Sequence, residues 1–227
     1  MKRVLLLALA AVSASAFASF TEEFEDITTL PGSGWVQSNQ SATVGTTNWF
    51  QGNTTVFNAF SGAPAGYIGT NFNNTTGAST ISNWLVTPTV TLDNGATFSF
   101  YTRTVSSPAF PDRLQVRMST NGASSNTGVG PTGLGDFTTL LLDINPTYTT
   151  AGYPNDWTQF TVNISGLGSA TTGRLAFRYF VENGGPTGAN SDYIGIDKAS
   201  YTDAVPEPAT MAILGLGAAA ALRRKRK

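Results

Sequence analysis

From residue 19 to about residue 203 the chain is built of short runs in which apolar and polar side chains alternate in steps of two. Gly, Pro, Asn or Asp cuts these runs every few residues, and runs of helix formers are nearly missing. Alternation of that period places one face of each run in a core, and many short strands between turn signals predict an all-β sandwich or jelly roll. The first run, residues 19–26, puts Phe20 and Phe24 on one face, and residues 65–70 read as another short strand. Residues 84–92 pass through Pro88, which cannot donate to a ladder, so a bulge or a sheet edge is expected there. Asp93-Asn94-Gly95 separates that run from residues 96–102. Asn and Gly tolerate positive φ, so the pair of runs reads as a hairpin, with Phe98 and Phe100 on one face and Thr97, Ser99 and Tyr101 on the other. Residues 113–119 alternate Arg113, Gln115 and Arg117 against Leu114, Val116 and Met118. Residues 137–144, 157–164, 175–181 and 193–201 supply further strands, whereas residues 122–135 form a Gly/Ser/Thr loop with little to bury.

The two ends break this pattern. Met1, Lys2 and Arg3 precede an apolar stretch over residues 4–12, and Ala16-Phe17-Ala18 follows as a small-x-small site. That order predicts a secretory signal peptide over residues 1–18, cut between Ala18 and Ser19 by signal peptidase. At the other end Pro206, Glu207 and Pro208 fix a rigid turn. An uncharged Ala/Leu/Gly-rich run at residues 209–222 follows, then Arg223, Arg224, Lys225, Arg226 and Lys227. As a helix the apolar run would span about 21 Å, short of a hydrocarbon core of about 30 Å unless the bilayer thins or flanking residues snorkel. The basic residues would hold the end on the cytoplasmic side.

Composition narrows what lies between. Roughly 185 residues suffice for one domain with a sizeable core. The chain has no Cys and no His, so disulfides, His-dependent triads and most zinc sites are excluded. The formal charge of −1 over the whole chain hides an acidic body. Seven of the 13 basic residues sit in the two ends, and all 14 acidic residues lie outside the signal peptide. A body near −8 repels nucleic acid and anionic membrane surfaces.

Pro206-Glu207-Pro208, the apolar segment and the basic residues 223–227, in that order at the C-terminus, resemble the PEP-CTERM sorting signal recognised by bacterial exosortases. The resemblance implies that residues 204–227 hold the exported chain transiently at the inner membrane of a Gram-negative-type bacterium. Cleavage would fall near Pro206–Pro208, and the product would associate with exopolysaccharide in biofilm or floc material. A second resemblance covers nearly all of residues 20–202. Phe24-Glu25-Asp26, Gly34-Trp35, Asn83 to Pro88, Gly95 to Phe100, Asp112 to Val116, Trp157, Leu175 to Tyr179 and Ile194 to Asp197 succeed one another as in choice-of-anchor J domains, which are related to cleaved adhesin domains of gingipain-type proteases. It implies a jelly-roll β-sandwich over residues 19–203 acting as a surface adhesin or binding module.

Three chemistries remain open for that domain. Glu22, Glu23, Glu25 and Asp26 lie on or beside the first strand and Asp197 near the end of the last. First and last strands often pair in jelly rolls, and hard carboxylate oxygens gathered that way suit Ca²⁺, with Glu25 and Asp197 as the ligands expected. Related sandwiches commonly hold a structural calcium, which adds to that expectation. Asp112, Asp156, Glu182 and Asp192 are the candidate acids for glycoside hydrolysis, but no spacing selects a pair from them. Trp35, Trp49, Phe50, Phe57, Phe60, Tyr67 and Phe72 cluster in the loop-rich first third. Exposed rings among amides and hydroxyls suit a polysaccharide surface. Trp49 is the ring expected to be exposed, while Trp84 and Trp157 are expected to be buried in strands. The expected role is therefore non-catalytic adhesion, with a lectin-like module or a carbohydrate-active hydrolase as rivals.

Overall fold

The computed structural model describes residues 19–204. Ala18, the motif Pro206, Glu207 and Pro208, the expected helix at 209–222 and the basic residues Arg223 to Lys227 lie outside the described residues. Two antiparallel sheets stack around one core, as the alternation predicts. The first sheet contains β1 (Phe20–Glu22), β3 (Phe50–Gln51), β4 (Ile68–Asn71), β7 (Thr97–Thr104), β10 (Thr158–Asn163) and β12 (Tyr193–Thr202). Its order is β10-β7-β12-β4-β3, with β1 also paired to β12. The second contains β2 (Val36–Asn39), β5 (Ser79–Val86), β6 (Val90–Leu92), β8 (Leu114–Ser119), β9 (Thr139–Ile144) and β11 (Thr171–Gly184). Its order is β2-β5-β11-β8-β9, with β6 on β11.

The longest strands carry the core because each keeps its apolar face over many residues. Leu175, Phe177, Tyr179 and Val181 of β11 meet Phe98 and Phe100 of β7 across the sandwich. The Phe177 ring lies 5.3 Å from Phe98 and 4.8 Å from Phe100, the latter edge to face at 78°. Burying one such ring stabilises the fold by about 1.5–3 kcal/mol, and the edge-to-face geometry adds about 0.5–1.5. In β12, Ile194 and Ile196 face the core, and so do Ala199 and Tyr201. A strict period of two would put residue 198 inward. Lys198 instead takes φ 50°, and the register with β7 slips between Asp197 and Ser200, which returns the small and aromatic residues to the core.

One expected pairing is different. Asp93-Asn94-Gly95 does reverse the chain, with Gly95 at φ 92°, but β6 pairs with β11 and β7 with β10 and β12. The turn is thus a corner between sheets and not a hairpin. Val90 and Leu92 enter the core from one sheet while Phe98 and Phe100 enter from the other, so all four can be buried only if the runs part. Asn94 fixes the corner by exchanging two hydrogen bonds with Leu167, 2.7 and 2.9 Å. Pro88 falls in the break between β5 and β6, in keeping with its missing donor. Phe24 ends the first run early by adopting φ 53°, yet Phe20 and Phe24 both pack on Trp35, each with ring centres 5.5 Å away.

The Gly/Ser/Thr loop also differs from expectation. It lies over the outer face of the second sheet, where Phe137 and Leu134 cover the fully buried Trp84. Arg178 stacks between the rings of Trp84 and Phe180, at 4.8 and 4.0 Å, and donates to Pro131 O. Arg117 donates to Phe137 O at 3.3 Å and to Gln115 at 2.9 Å. Backbone carbonyls, the Gln115 side-chain oxygen and the Ser82 hydroxyl hold the two guanidiniums with no carboxylate bonded to either, and burial draws the Arg178 pKa down to about 9.

Candidate functional site

The pairing of first and last strands puts carboxylates where the sequence places them. Phe20 lies opposite Tyr201 and Glu22 opposite Ala199, which brings residues 23–25 to the level of the β12 bulge. The loop at residues 60–66 closes on that corner. Asp197 is fully buried, and its Oδ2 accepts from the amides of Phe60 and Ser61 at 2.8 and 3.1 Å. Glu25 accepts from the Ala63 amide through both oxygens, at 3.0 and 3.2 Å. Glu23 takes the Ser61 hydroxyl at 2.7 Å and lies 3.7 Å from Lys198 Nζ. Gly62 and Gly66 permit the approach, because a Cβ at Gly62 would collide with Glu25 Oε1 and one at Gly66 would fall 2.8 Å from Oε2.

Asp197 Oδ1 has no partner. Burial pushes the Asp197 carboxyl up to about 6, against the pull of the loop amides. A buried oxygen left unpaired suits a cation, and carboxylates with loop carbonyls are the donor set Ca²⁺ prefers. Among the described residues no three acidic side chains gather at metal-binding spacing, so backbone oxygens would have to complete any shell. Sequence reasoning named Glu25 and Asp197 and did not foresee the loop that contacts both. Its signal is the run Ser61-Gly62-Ala63-Pro64-Ala65-Gly66, which can only turn tightly.

Trp49 is not an exposed ring. It is 4% exposed and sits in the main core, with its indole N–H unpaired. Trp49 immediately precedes β3 and turns inward, while its neighbour Phe50 packs on the other side against Tyr193, 5.6 Å away. Trp35 and Tyr67 are buried as well, whereas Phe60 is 41% exposed and stacks on Tyr101 at 3.7 Å. Phe57, Tyr67, Tyr193 and the half-buried Trp157 cap the outer face of the first sheet. Trp157 precedes β10 and donates to Asn58 O at 2.9 Å. Gly69 and Gly195 stand opposite each other beneath this cap. A Cβ at Gly195 would come within 2.8 Å of Phe57, so only glycine lets the rings lie against the sheet.

The candidate acids for hydrolysis are scattered. Asp156 is exposed beside Arg103 at 3.3 Å, and Glu182 lies 3.7 Å from Arg113, which is held more tightly by Asp143 at 2.7 Å. Asp112 is 1% exposed. It accepts from Tyr179 Oη at 2.5 Å, Thr104 Oγ1 at 2.6 Å and the Asp192 amide at 2.8 Å. Burial pushes its carboxyl up to about 6. The neutral acid also solves a proton count: Thr104 has one hydroxyl proton and two acceptors, Asp112 and Tyr193 O at 2.9 Å. Below about pH 6 a protonated Asp112 can instead donate to Thr104 and free that proton for the carbonyl. Asp112 therefore works as a structural bolt.

This fold is that of adhesin-type β-sandwiches. The chain is similar to the K1 cleaved adhesin domain of Lys-gingipain from Porphyromonas gingivalis W83, at 20% identity and TM-score 0.54, covering 82% of this chain and 98% of that one. The K2 domain of Lys-gingipain matches at 18% identity and TM-score 0.52, covering 82% and 100%. A xylan-binding CBM22-1 domain from Paenibacillus barcinonensis Xyn10C overlaps more loosely, at 14% identity and TM-score 0.46 over 86% and 100%. Residues 204–227 match the PEP-CTERM protein-sorting motif, which marks the protein as exported and destined for the cell surface. No curated protein matches the chain.

Proposed function

We propose that the mature protein is a non-catalytic binding β-sandwich of the cell surface or extracellular matrix that associates with exopolysaccharide. In this reading signal peptidase frees Ser19, and the tail rests in the inner membrane until an exosortase cuts near Pro206–Pro208. The observation that carries it is the junction of a sorting motif at residues 204–227 with a sandwich whose last strand ends at Thr202. Its acidic body favours neutral or weakly charged partners over nucleic acid. A structural Ca²⁺ at the corner of Glu25 and Asp197 belongs to the same reading, supported by the unpaired Asp197 Oδ1. It would tie loop 60–66 to the paired chain ends.

Co-sedimentation of the full chain with exopolysaccharide from the producing cells, with Ca²⁺ or with EDTA, tests this function. Saturable binding without release of new reducing ends is expected. Release of reducing ends would favour a hydrolase, and the protein remaining wholly in the supernatant would contradict a polysaccharide role.

A further inference from the structure

At one end of the sandwich a cavity of about 160 Å³ opens between three connections. The segment before β8 supplies Phe110, the helical turn after β4 supplies Phe72, and the loop between β11 and β12 supplies Pro186, Gly188, Ser191 and Asp192. Phe110 leaves 43% of its surface in solvent although its neighbours Pro111 and Asp112 are buried. Asp192 is half-buried, and its backbone is pinned on both sides: its amide donates to Asp112 and its carbonyl accepts from Phe72 N at 3.0 Å. Burial raises the pKa of its carboxyl, against the pull of the nearby Ala109 amide. Ser191 holds φ 76°, and its hydroxyl and amide bind Gly185 N and Pro111 O, both at 2.9 Å. Buried Asp112 thus fixes the wall of an open cavity, which is more order than a surface loop needs.

We propose that this cavity binds one neutral sugar ring of a polysaccharide, with Phe110 against an apolar ring face and Asp192 accepting from hydroxyls. This rests on the polysaccharide reading above and names its site. A hexose or pentose has an apolar C–H face beside a rim of hydroxyls, matching aromatic and proline walls with one fixed acceptor. An acidic sugar is disfavoured, because the acidic side chain of Asp192 lines the cavity and no basic side chain does. The remaining polar groups of the wall are backbone and the Ser191 hydroxyl, which accepts from Gly185 N and keeps its own proton to donate. The site takes a ring and not a long groove-bound chain, so affinity per site is weak and attachment to a polymer depends on many copies.

The test is 15N NMR titration of the full chain in a zwitterionic detergent with neutral xylo-, cello-, manno- and galacto-oligosaccharides. Saturable shifts centred on the Phe110, Gly188 and Asp192 amides are expected for at least one probe. Phe110→Ala and Asp192→Asn should each weaken that binding about tenfold or more, and Phe110→Trp should retain it. Asp192→Asn keeps the shape of the side chain, so unchanged dispersion elsewhere would separate lost binding from lost folding. Binding that maps elsewhere and survives both substitutions overturns this site and leaves the polysaccharide reading standing. No shift with any probe at tens of millimolar also overturns the site, and co-sedimentation then decides the broader reading.

Discussion

Ser19 Oγ donates to Asp203 Oδ2 at 2.7 Å across 184 residues of sequence, and the Asp203 amide returns a bond to Ser19 Oγ at 3.3 Å. The two ends of the described sandwich therefore meet at one point. Just inside that clasp β1 pairs with β12, and Phe20 packs near Tyr201 and Trp35. Ser19→Ala should cost less than about 1 kcal/mol, because the bond is exposed. Phe20→Ala should cost about 2 kcal/mol or more, because it removes the ring that seals the sheet edge. Urea unfolding of the two variants measures both, and equal effects would contradict the assignment of the energy to the ring.

Asp112 makes a pH prediction. Its ordinary pKa is 3.8 and in the fold it is about 6, so the folded state holds a proton that the unfolded state releases. Its contribution to stability is therefore complete below about pH 4 and is lost as pH rises through about 6, by at most about 3 kcal/mol. Asp112→Asn copies the neutral acid: its carbonyl can accept from Tyr179 and the Asp192 amide, and its amide can donate to Thr104. The substitution should raise stability relative to the parent at pH 8 and change it little at pH 4. Thermal unfolding across that range reads the difference, and a variant less stable at pH 8 would contradict the neutral acid.

The sandwich centre depends on Phe177, which touches Phe98 and Phe100 from the opposite sheet. Phe177→Ala should destabilise by about 3–5 kcal/mol, while Phe60→Ala, at an exposed ring, should stay within about 1 kcal/mol. Denaturant midpoints compare them directly.

The glycine-rich loop is expected to be well protected. Its anchor is Arg178, with the Pro131 carbonyl on one side and the Trp84 ring beneath. Arg178→Ala should remove about 2–3 kcal/mol through lost cation–π and hydrogen-bond contacts. Amide exchange over residues 122–136 should then rise more than in β7. Uniform acceleration everywhere would mean that the loop and core open together.

Loop 60–66 gives the calcium test. Calcium should raise the melting temperature of the full chain and EDTA should reverse it, and Asp197→Asn should abolish the difference. Equal melting with calcium and with EDTA would remove the metal from the account.

How much of this was legible follows from range. Alternation over β8 and β11 revealed both strands and their inward residues, because each run is long enough to repeat. β2 and β3 were lost because Val36–Asn39 and Phe50–Gln51 are too short and polar to display a period. That is also why Trp49 read as exposed. Asp-Asn-Gly correctly marked a reversal, but turn chemistry is local and pairing is not, so the sheet change at residues 93–95 had no local signature. The rule that first and last strands pair foresaw β1 beside β12. The amides of Phe60 and Ser61 reach Asp197 across more than 130 residues, a contact no short pattern encodes. Asp112 likewise read only as one of four candidate acids, since its three partners come from three separate strands or loops.

The most direct measurement of the central claim is the intact mass, with both termini mapped, of protein recovered separately from the cell envelope and the medium. A species that begins at Ser19 and ends near Pro206–Pro208, with any added mass at its C-terminus identifying the attachment, is the predicted result. A species in the inner membrane that still carries Arg223 to Lys227 would contradict it and leave a tail-anchored adhesin-like domain facing the periplasm.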